Sequence, residues 1–523
     1  MTSTTHGAAV WQYRIPAAVL IVTALFFNAC ASLPVRSNAI PDVQREFRGV
    51  WIATVNNIDW PSRRDLSTEE QQRELMAILD RAVALNFNAV ILQIRPAADA
   101  LYASDLEPWS EYLTGEMGRA PDPFYDPLSF AVTEAHERGL ELHAWFNPYR
   151  AHHPTGTSPI APTHLSRSKP ELVREYGKYL WLDPGEDEVR RHAIRVVSDV
   201  VQRYDIDGVH VDDYFYPYPE KNPAGAEIDF PDDASWTRYL ALGGALERAA
   251  WRRENVNALV RELYDTIKLQ KPWVKFGVSP FGIWRPGFPE QIQGFDAFDR
   301  LYADSRLWLQ RGWVDYLAPQ LYWPISQRAQ SYPVLLRWWL EQNTTGRHVW
   351  TGIIPSRIVN SASSTPTKGF RASEILNQIK QTREMEGGGN IHFSMKSVMQ
   401  NRDGLADKLR ETVYAKPALV PASPWLGSAM PSQPLVTASA TDEGVRLDFQ
   451  PQGDQSVWLW VVRWRVGESW TVKLIPGNRR SWTIGTPARR DSRPLDVAVS
   501  AVNRLGEEGP ADRAMVFVFH SRR

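Results

Sequence analysis

The run Tyr204-Asp205-Ile206-Asp207-Gly208-Val209-His210-Val211-Asp212-Asp213-Tyr214-Phe215-Tyr216 places two adjacent carboxylates and an aromatic cluster at the end of a short apolar stretch. A strand period of two puts Val209 and Val211 on one face, and His210, Asp212 and Tyr214 on the other. An acid in that place is costly to bury without a partner or a purpose. The chemistry it suits is cleavage of a glycosidic bond, which usually needs two carboxyl groups across the scissile bond. Asp212 is the first candidate. Asp213 is expected to point the other way, as a structural acid, unless the strand has already ended. The loops offer Asp59, Asp99, Glu107 and Glu111 as the second carboxyl. Asp99, just past Arg95-Pro96, is placed first because it could overhang the mouth. The candidate catalytic set is therefore Asp212, Asp213 and Asp99. In an alternative route, an N-acetyl group of the substrate is the nucleophile and Asp212 orients it.

These residues need a scaffold. Apolar runs at Arg48 to Val55, Asn88 to Pro96, Glu141 to Tyr149, the opening stretch, Lys275 to Gly282, Val314 to Trp323, His348 to Pro355 and Gly389 to Met395 read as strands. Helical patterns lie between them, near 68–85, 126–138, 186–204, 247–269, 296–310, 330–342, 372–386 and 404–414, with Thr68 the expected cap of the first. Such alternation predicts an α/β fold with a parallel sheet, and eight units fit a (β/α)8 TIM barrel over residues 45–415. An open doubly wound sheet is disfavoured, because no glycine-rich phosphate loop follows the first strand.

In a barrel the carboxyl ends of the strands form the active face. Strand polarity sends Gln93, Arg95, His143, Trp145, Asn147, His210, Asp212, Ser279, Gln320, Tyr322, His392 and Ser394 inward there. Arg95, Trp109, Trp145, Asn147, Tyr149, His210, Tyr214, Gln320, Tyr322 and Trp323 are the expected substrate contacts. Aromatic rings suit the apolar faces of sugars, and these aromatics fall at strand ends and in loops. His143, His210 and His392 with Asp212 would suit zinc or iron if they lay at one level. No metal-binding spacing accompanies them, so no metal and no cofactor is expected.

Composition narrows the class. Lys and Arg number 59 against 60 Asp and Glu, so no nucleic-acid footprint exists. The only cysteine, Cys30, follows the apolar run Ile15 to Phe27. That run has the anatomy of a signal peptide over residues 1–30, and Phe27-Asn28-Ala29-Cys30 resembles a lipobox. Cleavage after a small-x-small site is the rival. Either predicts an exported protein. With Cys30 lipidated, it becomes a cell-envelope lipoprotein, anchored in the outer membrane and facing the periplasm. Residues 416–434 form a proline-rich linker. Residues 435–523 show short alternating strands at Val445 to Phe449, Val457 to Val466, Thr471 to Ile475, Leu495 to Val502 and Ala514 to Phe519, a pattern for a β-sandwich. The run Ala498 to Glu507 resembles the last hairpin of fibronectin type III domains, although Phe449 stands where Trp is usual and Val497 where Tyr is usual.

Several motifs, in order, resemble those of the bacterial glycosyl-hydrolase-like family ten. They are Phe47-Arg48-Gly49-Val50-Trp51, Gln93-Ile94-Arg95-Pro96, Asp99-Ala100-Leu101-Tyr102, Pro108-Trp109-Ser110, Tyr125-Asp126-Pro127-Leu128, the run His143 to Arg150, the run Asp207 to Pro217, the run Gly277 to Gly282, and Pro319-Gln320-Leu321-Tyr322-Trp323. The resemblance spans residues 45 to 415. It implies a TIM-barrel hydrolase of cell-envelope glycan, with peptidoglycan strands foremost, and carries the family's catalytic acid onto Asp212. A non-catalytic glycan-binding lipoprotein with a degenerate barrel is the alternative, because the fifth strand offers Ser279-Pro280 and no acid.

Overall fold

The computed structural model of the chain describes residues 39–359, 369–465, 467, 469–485 and 495–516. The expected signal segment and Cys30 lie outside the described residues. Eight strand positions alternate with helices: Phe47–Ile52, Ala89–Arg95, Glu141–Phe146, Gly208–Val211, Lys275–Val278, Tyr316–Leu317, the split run His348–Val349 and Thr351–Ile353, and Gly389–His392. Their ladders are parallel. The two ends of this sheet are His348–Val349 and Thr351–Ile353. Only Trp350 separates them, so the sheet curls round until it nearly closes.

The helices follow from sequence. Ser67, rather than the expected Thr68, caps Thr68–Ala84: its hydroxyl accepts from Glu70 N, and the Glu70 carboxylate accepts from Ser67 N. Leu75, Ile78, Leu79 and Ala82 then recur at three- and four-residue steps and are buried. The single helix expected over 296–310 is two, Ala297–Arg300 and Ser305–Arg311. Tyr302 between them has φ +53°, which ends the first, and the Asp304 side chain caps the second.

The barrel interior is aromatic where plain barrels pack branched aliphatics. Phe47 stacks on Trp350 at 3.7 Å between ring centroids, and Tyr316 on Trp350 at 4.7 Å. Two glycines make the room. A Cβ on Gly208 would lie 2.5 Å from His143 Nδ1, and one on Gly277 2.0 Å from the Tyr316 ring. Lower in the barrel, Glu141 and Lys275 form a buried ion pair at 2.9 Å.

The proline-rich segment runs along the amino ends of the strands. Trp425 Nε1 donates to Asp315 at 2.8 Å, and the Lys416 carbonyl accepts from Arg48 at 2.7 Å. Beyond it, Leu435–Thr441, Gly444–Gln450 and Ser481–Gly485 form one antiparallel sheet. Trp470–Pro476, Leu459–Arg465, Leu495–Val502 and Asp512–Val516 form a second. Phe449, Trp460, Val462 and Val497 are buried between them. Leu435–Thr441 and Ser481–Gly485 have no counterpart among the expected strands. The first is largely exposed, so no alternation marks it. Arg504 of this part reaches the barrel, donating to Asp207 at 2.8 Å just before the strand that ends at Asp212.

Candidate active site

The carboxyl ends of the strands surround a cavity of about 410 Å³. Trp51, Gln93, Trp145, His210, Asp212 and Asp213 line it from the first four strands, and Ser279, Gln320, Tyr322 and Phe393 from the later ones. The fourth strand stops at Val211. Strict alternation stops with it, so Asp213 faces the same cavity as Asp212 and does not turn away as expected from the strand period.

Asp212 is buried and receives three contacts from nitrogen donors. Trp145 Nε1 lies 3.1 Å from Oδ2, and Asn147 Nδ2 lies 3.2 Å from each oxygen. Burial is the largest influence on its carboxyl and pushes the pKa up. The Arg150 charge opposes this and the Asp213 charge adds to it, leaving a value of about 7. Burial also raises Asp213, against hydrogen bonds from Tyr218 and Gln320. Two buried acids side by side resist double ionisation, so the pair retains a proton close to neutral pH.

Asn147 is itself held. Its Oδ1 accepts from Arg150 N at 2.8 Å, and its carbonyl accepts from Arg95. Arg95 thus acts one step behind the cavity. It is fully buried in an ion pair with Glu107, which also bonds His192 at 2.8 Å. Its expected role as a direct substrate contact is corrected. The ladder between the second and third strands slips between Gln93 and Arg95, and that bulge takes Arg95 out of register with the inward face.

His210 lines the cavity, yet both ring nitrogens are engaged. Trp51 Nε1 donates to Nε2 at 3.1 Å, which leaves Nδ1 to donate to the Tyr316 hydroxyl at 2.9 Å. Tyr316 then donates to His143 Nδ1 at 2.8 Å, and His143 Nε2 donates to Glu141 at 3.1 Å. One indole N–H therefore sets the direction of the whole chain. Burial holds the His210 pKa well down, so the ring is neutral. His392 does not face inward: Ile391 and Phe393 do, and His392 bonds Tyr414 at 3.0 Å among the helices. Among the described residues, no three His, Cys, Asp or Glu are grouped to hold a metal ion.

The sequence model of the glycosyl hydrolase-like 10 family matches residues 46–368. The chain belongs to this family. Glycosyl hydrolase YngK of Bacillus subtilis (strain 168) is 43% identical over 438 residues, covering 82% of this chain and 83% of that protein. Glycosyl hydrolase DigH of Escherichia coli (strain K12) is 36% identical over 356 residues, covering 62% of this chain and 79% of that one. Among solved structures, the glycoside hydrolase domain of PgaB (BpsB) from Bordetella bronchiseptica aligns with a TM-score of 0.46 and 14% identity, over 70% of this chain and 98% of that one. The chain is a glycoside hydrolase.

Within this glycosyl hydrolase-like 10 member, four expected residues besides Arg95 lie elsewhere. Asp99 does not overhang the cavity. It is buried with Oδ1 on Ala97 N at 2.8 Å, and burial raises its pKa to about 6. Tyr149 is wholly buried in the core. Trp109 packs edge-on against Phe124, and Trp323 against Phe281, outside the cavity lining. The other loop acids are engaged too: Glu111 by Arg64 at 2.9 Å, and Asp59 by Ser394 at 2.7 Å. Trp145, Asn147, His210, Tyr214, Gln320 and Tyr322 do gather around Asp212 and Asp213. Trp51, Arg150, Phe281 and Phe393 also line the cavity and were not among the expected contacts. The first-strand alternation pointed to Trp51. Arg150 and Phe281 fall within motifs of the family resemblance, and nothing local marked Phe393.

Proposed function

We propose that the protein cleaves the N-acetylated glycan of the bacterial cell envelope, peptidoglycan strands foremost, using Asp212 and Asp213 as a pair. One observation carries this: among the described residues, these two are the only carboxylates lining the cavity, and they project from one strand end. Carboxyls so placed are poorly disposed to flank a glycosidic bond from opposite faces. A 2-acetamido group of the sugar supplies the missing nucleophile. The donors converging on Asp212 oppose the rise that burial gives its pKa, and once the proton the pair shares rests on Asp213, the Asp212 anion accepts the acetamido N–H and orients the group. One partner of Asp213 is a hydroxyl, Tyr218, which can donate to an anion or accept from an acid. Asp213 therefore suits the proton donor.

In the first step Asp213 gives its proton to the glycosidic oxygen as the C1–O bond breaks. The acetamido carbonyl oxygen bonds C1 from the other face. Water then opens the cyclic intermediate, returning its proton to Asp213, and the anomeric configuration is retained.

Export and a lipid anchor at Cys30 complete the reading, supported by the apolar run before the only cysteine. A fibronectin type III-like identity for the carboxyl-terminal part is supported by its three-plus-four arrangement of antiparallel strands.

The test is release of reducing ends from purified, peptide-free glycan strands. Asp212→Asn and Asp213→Asn should each lower kcat by about a hundredfold or more. Strands stripped of their N-acetyl groups should resist cleavage by the wild type. Full activity in either variant, or cleavage of the stripped strands, would overturn the mechanism.

A further inference from the structure

Two buried polar atoms of the cavity wall have no hydrogen-bond partner among the described residues. They are Gln93 Nε2 and Ser279 Oγ, on side chains 0% and 1% exposed. His210 and Trp145, beside them, use their polar atoms on protein groups. A buried polar group left open is unfavourable, and in a folded protein it calls for a reason.

The orientation of the Gln93 amide is fixed. Its Oε1 accepts from Thr54 N at 3.1 Å and from Val55 N at 2.9 Å. Backbone N–H groups only donate, so the oxygen must face them, and the NH₂ is the end left unpartnered on a side chain that lines the cavity. Gln93 lies two strands to one side of the carboxylates, and Ser279 one strand to the other. The wall thus presents a fixed donor, a carboxylate pair and a hydroxyl in an arc.

We propose that Gln93 is a substrate-binding, specificity-determining residue. Its Nε2–H donates to an acceptor oxygen of the sugar seated over Asp212 and Asp213, while Ser279 Oγ binds the same sugar from the far side. Because Gln93 cannot accept here, a ligand that offers only a donor at that point is rejected. This deepens the glycan-hydrolase reading and rests on it.

Gln93→Glu is the informative variant. One carboxyl oxygen can still accept from Thr54 N and Val55 N, and only the donor is lost. With full-length enzyme and peptide-free glycan strands at pH 8, kcat/KM should fall by about tenfold to a hundredfold. The deficit relative to wild type should shrink as pH is lowered to 5, because protonation of the introduced carboxyl restores a donor. The nearby acids raise its pKa and bring that recovery into range. A purely structural role for Gln93 would give no such recovery.

Ser279→Ala removes a hydroxyl that bonds nothing among the described residues, so it should lower kcat/KM without changing the urea unfolding midpoint. It decides the matter if Gln93→Glu fails to fold. Wild-type kcat/KM in Ser279→Ala, or in a folded Gln93→Glu, overturns the assignment, as does a deficit independent of pH. A wild type that releases no reducing ends overturns the parent reading instead, and the assignment with it.

Discussion

The carboxyl of Asp212 should make the protein less stable at neutral pH than it need be, and Asp212→Asn should expose the amount. Burial raises its pKa from 3.8 to about 7 in the folded state. In the unfolded chain it ionises at the ordinary value. Between those two values the unfolded state releases the proton while the folded state keeps it, so stability falls as pH rises. A tenfold difference in proton affinity between the two states is worth about 1.36 kcal/mol, so the loss approaches roughly 4 kcal/mol once pH exceeds the folded value. Asp212 is only 4% exposed, so solvent screening removes little of this. Asparagine has the shape of the protonated acid and cannot ionise. The variant should match wild type near pH 4, gain on it through pH 5 and 6, and level off about 4 kcal/mol more stable above pH 7. Neutralising Asp212 also relieves Asp213, which adds in the same direction. Urea unfolding of both proteins at pH 4, 5.5, 7 and 8.5 measures the difference. A gap that does not vary with pH, or a variant less stable than wild type at pH 8.5, would refute the reasoning. The same variant should be nearly inactive, so the strain removed is strain that the site uses.

Two further perturbations test the surroundings of the pair. Tyr218→Phe removes a hydrogen bond that favours the Asp213 anion, so the alkaline limb of the kcat/KM profile should move to higher pH; an unmoved or lowered limb would count against Asp213 as the proton donor. Arg504→Ala leaves the Asp207 carboxylate, wholly buried, without the guanidinium that most strongly holds its pKa below the usual range, and should cost about 3–5 kcal/mol in urea unfolding at pH 7. A cost under about 1 kcal/mol, the range of a surface pair, would show that His136 and Leu142 N suffice to hold Asp207.

The barrel was legible because parallel strands buried on both faces read as continuous apolar runs: seven of the eight lie within the expected spans, and the first starts one residue early, at Phe47. Inward positions followed wherever the ladder is regular, as with Gln93, Trp145, His210 and Gln320. The misreadings fall where regularity breaks. A bulge turns Arg95 aside. The eighth strand presents Ile391 and Phe393 inward, so a one-residue error in phase put His392 on the wrong face. Asp99 turns back on the Ala97 N–H two residues away, and the role of Glu107 hangs on a partner far along the chain, His192, which no spacing announces. The carboxyl-terminal strands missed bury only one residue each, Val436 and Ile484.

Asp213 shows why the site itself was the hardest part to read. A strand period predicts direction only as far as the ladder enforces it, and the fourth ladder ends at Val211, paired with Phe146 and Val278. One residue later, Asp212 still follows the strand and meets Trp145 and Asn147 from the neighbouring strand. Two residues later, tertiary partners decide: Tyr218 from the following loop and Gln320 from the sixth strand position draw Asp213 into the cavity. A barrel enzyme needs its reacting groups at strand ends, where backbones diverge and leave room for a ligand. That divergence releases side chains from the two-residue rule, so the positions that do the chemistry are those whose direction periodicity cannot give. The pairing of Asp212 with Asp213, rather than with a distant loop acid, follows from where one four-residue strand stops.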